Sequence, residues 1–160
     1  YLLEFERGGG GATPGIDESI ADLKSIASKE MDGQTPLIED PKFAARMAEM
    51  EILNESLRFQ EFMSLDKFSR GESPGPGSSL AKNTSVEISQ TISALKLEAV
   101  HYYGIPHANK ISLNGHTDEW MGPDYAEMVT PRFLNSRAAS IFGGSQEVQK
   151  NIIAKVVLGL

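Results

Sequence analysis

The segment most informative about the fold reads Ser140-Ile-Phe-Gly-Gly-Ser-Gln-Glu-Val-Gln-Lys-Asn-Ile-Ile-Ala-Lys-Val-Val-Leu-Gly159. Gly143 and Gly144 let the backbone come close to a ligand, and Ser145 is a residue type that often caps the start of a helix. Apolar side chains then recur at helical spacing, at Val148, Ile152, Ile153, Val156 and Val157. The free N–H groups at such a helix start can bind a phosphate or the polar edge of a ring. Taken alone, however, a Gly-Gly-Ser sequence is more often the start of an ordinary capped helix.

The composition is that of a single globular domain. The 160 residues are enough for one sizeable core, and 40% hydrophobic and 23% charged residues are ordinary proportions. The net charge of −7 argues against nucleic-acid binding, which needs a basic surface. The absence of cysteine excludes a disulfide framework and a thiolate zinc site, and it agrees with a cytoplasmic location. No apolar run is long enough to cross a bilayer and no signal-peptide pattern is present, so we expect no membrane partner.

The hydrophobic pattern predicts long amphipathic helices joined by short loops, and therefore an all-α antiparallel four-helix bundle. The first helix is expected over residues 2–29, interrupted by glycines at 8–11 and by Pro14. The second is expected from the capping pair Asp40-Pro41 to Arg70. Its core-facing residues are predicted at Phe43, Met47, Met50, Leu53 and Leu57.

Further helices are predicted from Ser79 to Tyr103, from Pro131 to Ile141 and after Ser145. Residues 32–36 and 105–130 lack a helical period, and no alternating pattern indicates strands. The core-facing residues of the third helix are predicted at Ile88, Ile92, Leu95, Ala99 and Tyr102. Because the chain begins inside a predicted helix, we expect residues 1–160 to be one domain of a longer protein.

Two local patterns have alternative interpretations. Glu98-Ala-Val-His101 is a Glu-x-x-His pair of the kind that di-iron bundle proteins use, but the chain has no second such pair. A solvated or capping His101 is therefore favoured, and no metal site is predicted. Near the other end, Glu4 and Glu6 precede Arg7, and such an acidic pair is usually an exposed cluster near a helix start.

Ile-Phe-Gly-Gly-Ser-Gln-Glu-Val-Gln-Lys-Asn-Ile-Ile-Ala-Lys, at residues 141–155, resembles the closing motif of acyl-CoA dehydrogenases, flavoenzymes that desaturate acyl-CoA thioesters. The resemblance implies a C-terminal helical domain, FAD as cofactor, an acyl-CoA substrate and an electron-transfer acceptor protein as partner. Residues 40–48 and 74–82, with Asp-Pro-x-x-x-x-Arg-Met-Ala, Pro-Gly-Pro and Ser-x-x-x-Lys, are similar to a bacterial subgroup. Several members of that subgroup act on CoA esters of steroid side chains.

The resemblance also implies a catalytic base. Most family members carry a glutamate immediately before the motif's Gly-Ser or Gly-Thr pair, and this chain has Gly143 there, which cannot take a proton. A minority carries the glutamate in a Glu-Arg pair on the first helix of this domain, which Glu6-Arg7 resembles. Removal of a proton alpha to a thioester carbonyl needs such a positioned base. The resemblance thus implies that Glu6 is the base, with Arg7 beside the substrate.

Other positions of the motif carry further implied roles. By the same resemblance Gly144 would lie at the thioester, Ser145 and Glu147 would contact FAD, and Lys155 would lie near the CoA moiety. A lysine on an amphipathic helix is, however, more often simply solvated.

Two departures from the family pattern bear on assembly. Residues 24–43 lack the Arg-x-x-Phe-Gly that normally holds the flavin pyrophosphate of the neighbouring subunit, and residues 105–130 lack the Gln-x-x-Gly-Gly that holds its adenine end. We therefore expect a hetero-oligomer in which a second dehydrogenase subunit supplies these contacts. The alternative functions are a non-catalytic architectural subunit and a generic helical interaction module.

Overall fold

A computed structural model describes residues 11–73, 75–106 and 120–160 of the chain. The α-helices of these residues are α1 (Thr13–Lys29), α2 (Pro41–Ser69), α3 (Gly77–Ala99), α4 (Val129–Ser136) and α5 (Gln146–Ile153). The long helices α1, α2 and α3 pack against one another, and both short helices pack against α3. The predicted all-α four-helix bundle is confirmed, with α4 and α5 sharing the fourth position.

The capping residues explain where the long helices begin. The Asp40 carboxylate accepts hydrogen bonds from the backbone N–H groups of Lys42 at 3.1 Å and Phe43 at 2.8 Å, which confirms the predicted start of α2. Pro14 stands in the first turn of α1, where its missing N–H has no helical partner to lose. Pro14 therefore begins a helix, whereas the sequence pattern predicted that it interrupts one.

A small hairpin follows α1 and was not predicted. Strands β1 (Met31–Asp32) and β2 (Thr35–Pro36) pair antiparallel across a turn in which Gly33 has φ +63°. Two residues per strand are too few for an alternating pattern, so the sequence offered no signal beyond a turn. The hairpin leads into a 3₁₀ turn, Leu37–Glu39, that places the start of α2 against α1.

The core lies among the three long helices. The predicted core-facing residues of α2 are confirmed, with Leu53 partly buried at the edge. On α3, Ile88, Ile92, Leu95 and Ala99 are fully buried. The prediction for Tyr102 is wrong, because its side chain is 83% exposed. The helix ends at Ala99 and a 3₁₀ turn, His101–Gly104, follows it, so Tyr102 no longer lies on the helical stripe.

The last third of the chain differs most from the sequence prediction. Instead of one helix from Pro131 to Ile141, α4 is followed by a 3₁₀ turn, Arg137–Ser140. The final helix α5 is followed by a π-helical turn, Ala154–Leu158. Of the apolar side chains in this segment, Ile152 and Ile153 are partly buried. The exposed ones are Val148, Val156, Val157, Leu158 and Leu160.

None of the helices in the described ranges combines the length and the apolarity that a membrane crossing requires.

The contrast between Ile92 and Tyr102 gives a test of this core. Replacement of the buried Ile92 by alanine should lower the free energy of unfolding by about 2–5 kcal/mol, because it leaves a cavity. Tyr102→Ala removes an exposed ring and should cost less than about 0.5 kcal/mol. Urea unfolding of both variants measures the difference, and equal losses would contradict the described end of α3.

Candidate functional site

The loop before α5 has a backbone that requires its two glycines. Gly143 and Gly144 have φ values of +68° and +90°, in the left-handed region where a Cβ is unfavourable. The next residue, Ser145, returns to extended geometry and its hydroxyl oxygen accepts the N–H of Val148 at 3.4 Å. The predicted N-cap of α5 is thus confirmed. A Cβ at Gly143 would meet no atom of the described residues within 4 Å, so this side of the loop is open with respect to that part of the chain.

Side chains from α3 hold the loop by its backbone. The ammonium group of Lys82 donates to the carbonyl oxygens of Gly144 at 2.9 Å and Ala139 at 3.2 Å. The neighbouring Asn83 amide donates to the carbonyl of Gln146 at 3.3 Å. Polar contacts of one helix therefore fix the loop on its inner side.

Gln149 holds the loop from α5 itself. Its side-chain NH₂ donates to the Gly143 carbonyl at 3.0 Å, and the residue is completely buried. Its amide oxygen, Oε1, is also buried, and no donor for it is found within the described part of the chain. A buried acceptor without a partner costs about 1–3 kcal/mol, so Gln149 is an unusual residue for this position.

The segment before the loop is fixed in the same way. Gln90 on α3 donates from its side-chain amide to the Ser136 carbonyl at 3.0 Å. In the opposite direction, the Arg137 guanidinium donates to the Gln90 carbonyl at 3.1 Å and to the Ser93 hydroxyl at 2.9 Å. The whole path from α4 to α5 is therefore bonded to α3 by polar groups.

Glu147 lies in the first turn of α5 and has a perturbed acidity. A hydrogen bond from the Ser145 hydroxyl is the largest cause that lowers the pKa of Glu147, followed by its own backbone N–H. Burial raises the pKa, and the charges of Lys150 and Lys82 lower it by smaller amounts. The carboxylate therefore stays ionised to lower pH than an ordinary glutamate and can accept hydrogen bonds from a ligand.

The structure brings together only some of the residues singled out from the sequence. Gly144, Ser145 and Glu147 are neighbours at the start of α5. Lys155 is exposed in the π-helical turn, ten residues beyond Ser145 and so about 15 Å further along the axis. Glu6 and Arg7 lie outside the described residues.

Sequence reasoning missed Lys82 and Gln149. Lys82 belongs to the Ser-x-x-x-Lys segment of the subgroup pattern, but nothing local indicated a contact with a loop about sixty residues away. Gln149 lies within an apolar helix pattern, and nothing in the sequence around it indicates a contact with the loop.

The Glu-x-x-His pair has no metal-binding geometry. Both carboxylate oxygens of Glu98 accept hydrogen bonds from Arg46 Nη1 at 2.8 Å, and His101 is exposed. No cluster of three or more metal-ligating side chains occurs among the residues that the structure describes.

Comparison with known proteins places these features in a family. The family defined as "Acyl-CoA dehydrogenase, C-terminal domain" matches residues 3–158. The chain belongs to this family. The acyl-CoA dehydrogenase IpdE1 of Mycolicibacterium smegmatis is 49% identical over 47 residues, which cover 29% of this chain and 10% of that protein.

Solved structures agree with the fold. PigA with FAD and proline has a TM-score of 0.73 at 16% identity, over 99% of this chain and 37% of that chain. The ChsE4-ChsE5 complex of Mycobacterium tuberculosis has a TM-score of 0.65 at 22% identity, over 91% of this chain and 35% of that chain. At these identities the likeness concerns the fold alone. The chain thus spans well under half the length of these relatives.

The cap of α5 can be tested through Ser145. Ser145→Ala removes the hydroxyl that accepts from Val148 and donates to Glu147, so we expect α5 to lose about 1 kcal/mol of stability. The pKa of Glu147 should rise toward its ordinary value, which a ¹³C NMR titration measures.

The sign of the pH effect follows from the lowered pKa. In the wild-type protein, the ionised Glu147 carboxylate stabilises the fold above the ordinary glutamate pKa, and this stabilisation is lost as pH falls through the lowered pKa of Glu147. Ser145→Ala should weaken this dependence of the free energy of unfolding on pH. Ser140→Ala is the matched control, since its hydroxyl donates only to the Arg137 carbonyl in the preceding turn. An unchanged Glu147 titration in Ser145→Ala would contradict the assigned cause.

Proposed function

We propose that this chain is the C-terminal part of an FAD-dependent acyl-CoA dehydrogenase that introduces an α,β double bond into an acyl-CoA thioester. The observation that carries the proposal is the open Gly143-Gly144-Ser145 loop at the start of α5, in a chain of this family. The bacterial subgroup that residues 40–48 and 74–82 resemble supports a steroid side-chain CoA ester as the substrate class.

The residues at the loop fit a flavin. Gly143 has an open outer side, Ser145 and Glu147 offer a hydroxyl and an ionised carboxylate, and Gln149 has a buried acceptor without a donor. Polar atoms of this kind match the N–H and hydroxyl donors of FAD. Ser145 and Glu147 would hold it. When bound, FAD accepts the hydride that leaves the β carbon of the substrate.

The chain's own residues would remove the α proton and bind the substrate. Glu6 would take the α proton, because Gly143 leaves no carboxylate immediately before the Gly-Ser pair of the closing motif. The backbone of Gly144 would lie beside the thioester, since a glycine lets a ligand approach closely. Arg7 and Lys155 are cations and would attract the anionic CoA portion.

The role of Glu6 can be tested in the full-length enzyme with its partner. Glu6→Gln keeps the size of the side chain but cannot accept the proton, so we expect flavin reduction by acyl-CoA to slow by about 10²–10⁴-fold. Stopped-flow absorbance of the flavin measures this rate. Glu4→Gln removes a carboxylate two positions earlier and should reduce at the wild-type rate. Wild-type reduction by Glu6→Gln would reject Glu6 as the base.

A second subunit is part of the proposal. The chain lacks the two family segments that hold FAD across subunits, at residues 24–43 and 105–130. A hetero-oligomer with a second dehydrogenase subunit would supply them, and the ChsE4-ChsE5 neighbour is itself a complex of two proteins. An electron-transfer acceptor protein would then reoxidise the flavin.

The exposed apolar side chains favour assembly and also support the alternative function. On α2 they include Ile52, Phe59, Phe62, Met63 and Leu65, in addition to those around α5. Monomeric proteins rarely leave such large groups uncovered together. An architectural subunit that completes the site of a partner would need the same surfaces, and only the Glu6 experiment separates it from a catalytic subunit.

The partner requirement has a direct spectroscopic test. We expect the full-length protein to be colourless when purified alone and yellow, with flavin absorbance, when it is produced together with the dehydrogenase encoded by the neighbouring gene. A flavin-replete homo-oligomer of the full-length protein would contradict the hetero-oligomer.

A further inference from the structure

One face of α3 makes polar contacts with residues 136–146, the path from the end of α4 to the start of α5. Asn83, Gln90 and Ser93 recur at spacings of seven and three, and Lys82 adjoins them, so they share one side of the helix. Lys82 donates to two carbonyls between α4 and α5, and Gln90 and Asn83 donate to the carbonyls of the residues that end α4 and begin α5. Ser93 accepts a hydrogen bond from the side chain of Arg137. Of the four, Lys82 carries a charge, and it contacts the glycine loop itself.

The two bonds of Lys82 close the loop. Its ammonium group reaches the carbonyls of Ala139 and Gly144, which stand five residues apart on either side of the exposed Ile141 and Phe142. Hydrogen bonds from a charged donor are about twice as strong as neutral ones. One side chain thus fixes the distance between the beginning and the end of the loop.

The bond to Gly144 also has a consequence for the outer side of the loop. A trans peptide is planar, so its C=O and N–H point in opposite directions. Lys82 draws the Gly144 carbonyl inward, toward α3, and the N–H of Ser145 in the same peptide must then point outward. Gly144 has no Cβ to resist rotation of this peptide, so a contact from elsewhere has to fix it.

We propose that Lys82 is a positioning residue, which sets the orientation of the Gly144–Ser145 peptide and thereby the donor that the loop presents to a ligand. The inference rests on the proposed function, because it assigns the ligand side of the loop to flavin and thioester. Lys82 acts on the ligand side of the loop through this peptide.

The chain offers a matched control on the same helix. Lys96 is a second lysine of α3 and is buried, whereas Lys82 is partly buried; the Lys96 ammonium group binds the Ser19 hydroxyl at 3.0 Å and the Asp22 carboxylate at 2.8 Å, both on α1. Lys82→Met and Lys96→Met therefore remove the same group from the same helix, at positions that bond different parts of the fold. Thermal unfolding of each variant gives the general loss of stability.

Amide hydrogen exchange of the full-length complex provides a readout that does not depend on activity. In Lys82→Met, peptides that cover residues 139–147 should exchange about tenfold faster than in the wild type. In Lys96→Met the same peptides should exchange at the wild-type rate, even where this variant unfolds at a lower temperature. Equal exchange in the two variants would overturn the inference.

Flavin reduction then separates a positioning role from a merely structural one. We expect the limiting rate of reduction by saturating acyl-CoA to fall by about 10²-fold in Lys82→Met, with little change in KM, because a misplaced donor affects chemistry more than binding. Lys96→Met should reduce normally. Faster exchange with an unchanged reduction rate would overturn the positioning role. A wild-type complex that binds no flavin would refute the proposed function instead, and the inference with it.

Discussion

The ammonium group of Lys82, bonded to the carbonyls of Ala139 and Gly144, connects the long helix α3 to the loop that precedes α5. On its apolar side, α3 packs Ile88 and Ile92 against α1 and α2, and on its polar side it holds the path from α4 to α5. The glycine loop makes little use of apolar packing, because Ile141 and Phe142 are exposed. The geometry of the loop is therefore fixed by its hydrogen bonds to α3, and the position of α5 depends on the contact with Lys82.

Much of the bundle could be predicted because helical spacing and caps are local. The Asp40 cap, the buried stripe through Ile92 and the Ser145 cap are each determined by residues within one or two turns. The prediction for Tyr102 was wrong because the helix ends three residues earlier, and the spacing of apolar residues does not show where a helix ends. Periodicity also identified the apolar residues of the last segment, but it does not reveal which surface covers them, and Val156 is exposed.

The candidate site was harder to predict than the fold. Gly144 and Ser145 were recognisable because their motif is contiguous. Lys82 and Gln149 hold the same loop through contacts that depend on how the helices pack, and a polar side chain aimed at a backbone carbonyl leaves no pattern in the sequence. The match to the family model over residues 3–158 strengthens the interpretation of the loop.

The buried amide oxygen of Gln149 has a further consequence. With no donor among the described residues, the folded domain has already stripped this acceptor of water and bears that cost before anything binds. An incoming N–H or O–H group would reach it only if the loop opened, and would then gain a bond without first displacing solvent from the acceptor. The desolvation cost of this acceptor would thus belong to folding and not to binding. Saturation with a compound that donates to the Gln149 oxygen would raise the melting temperature of the domain.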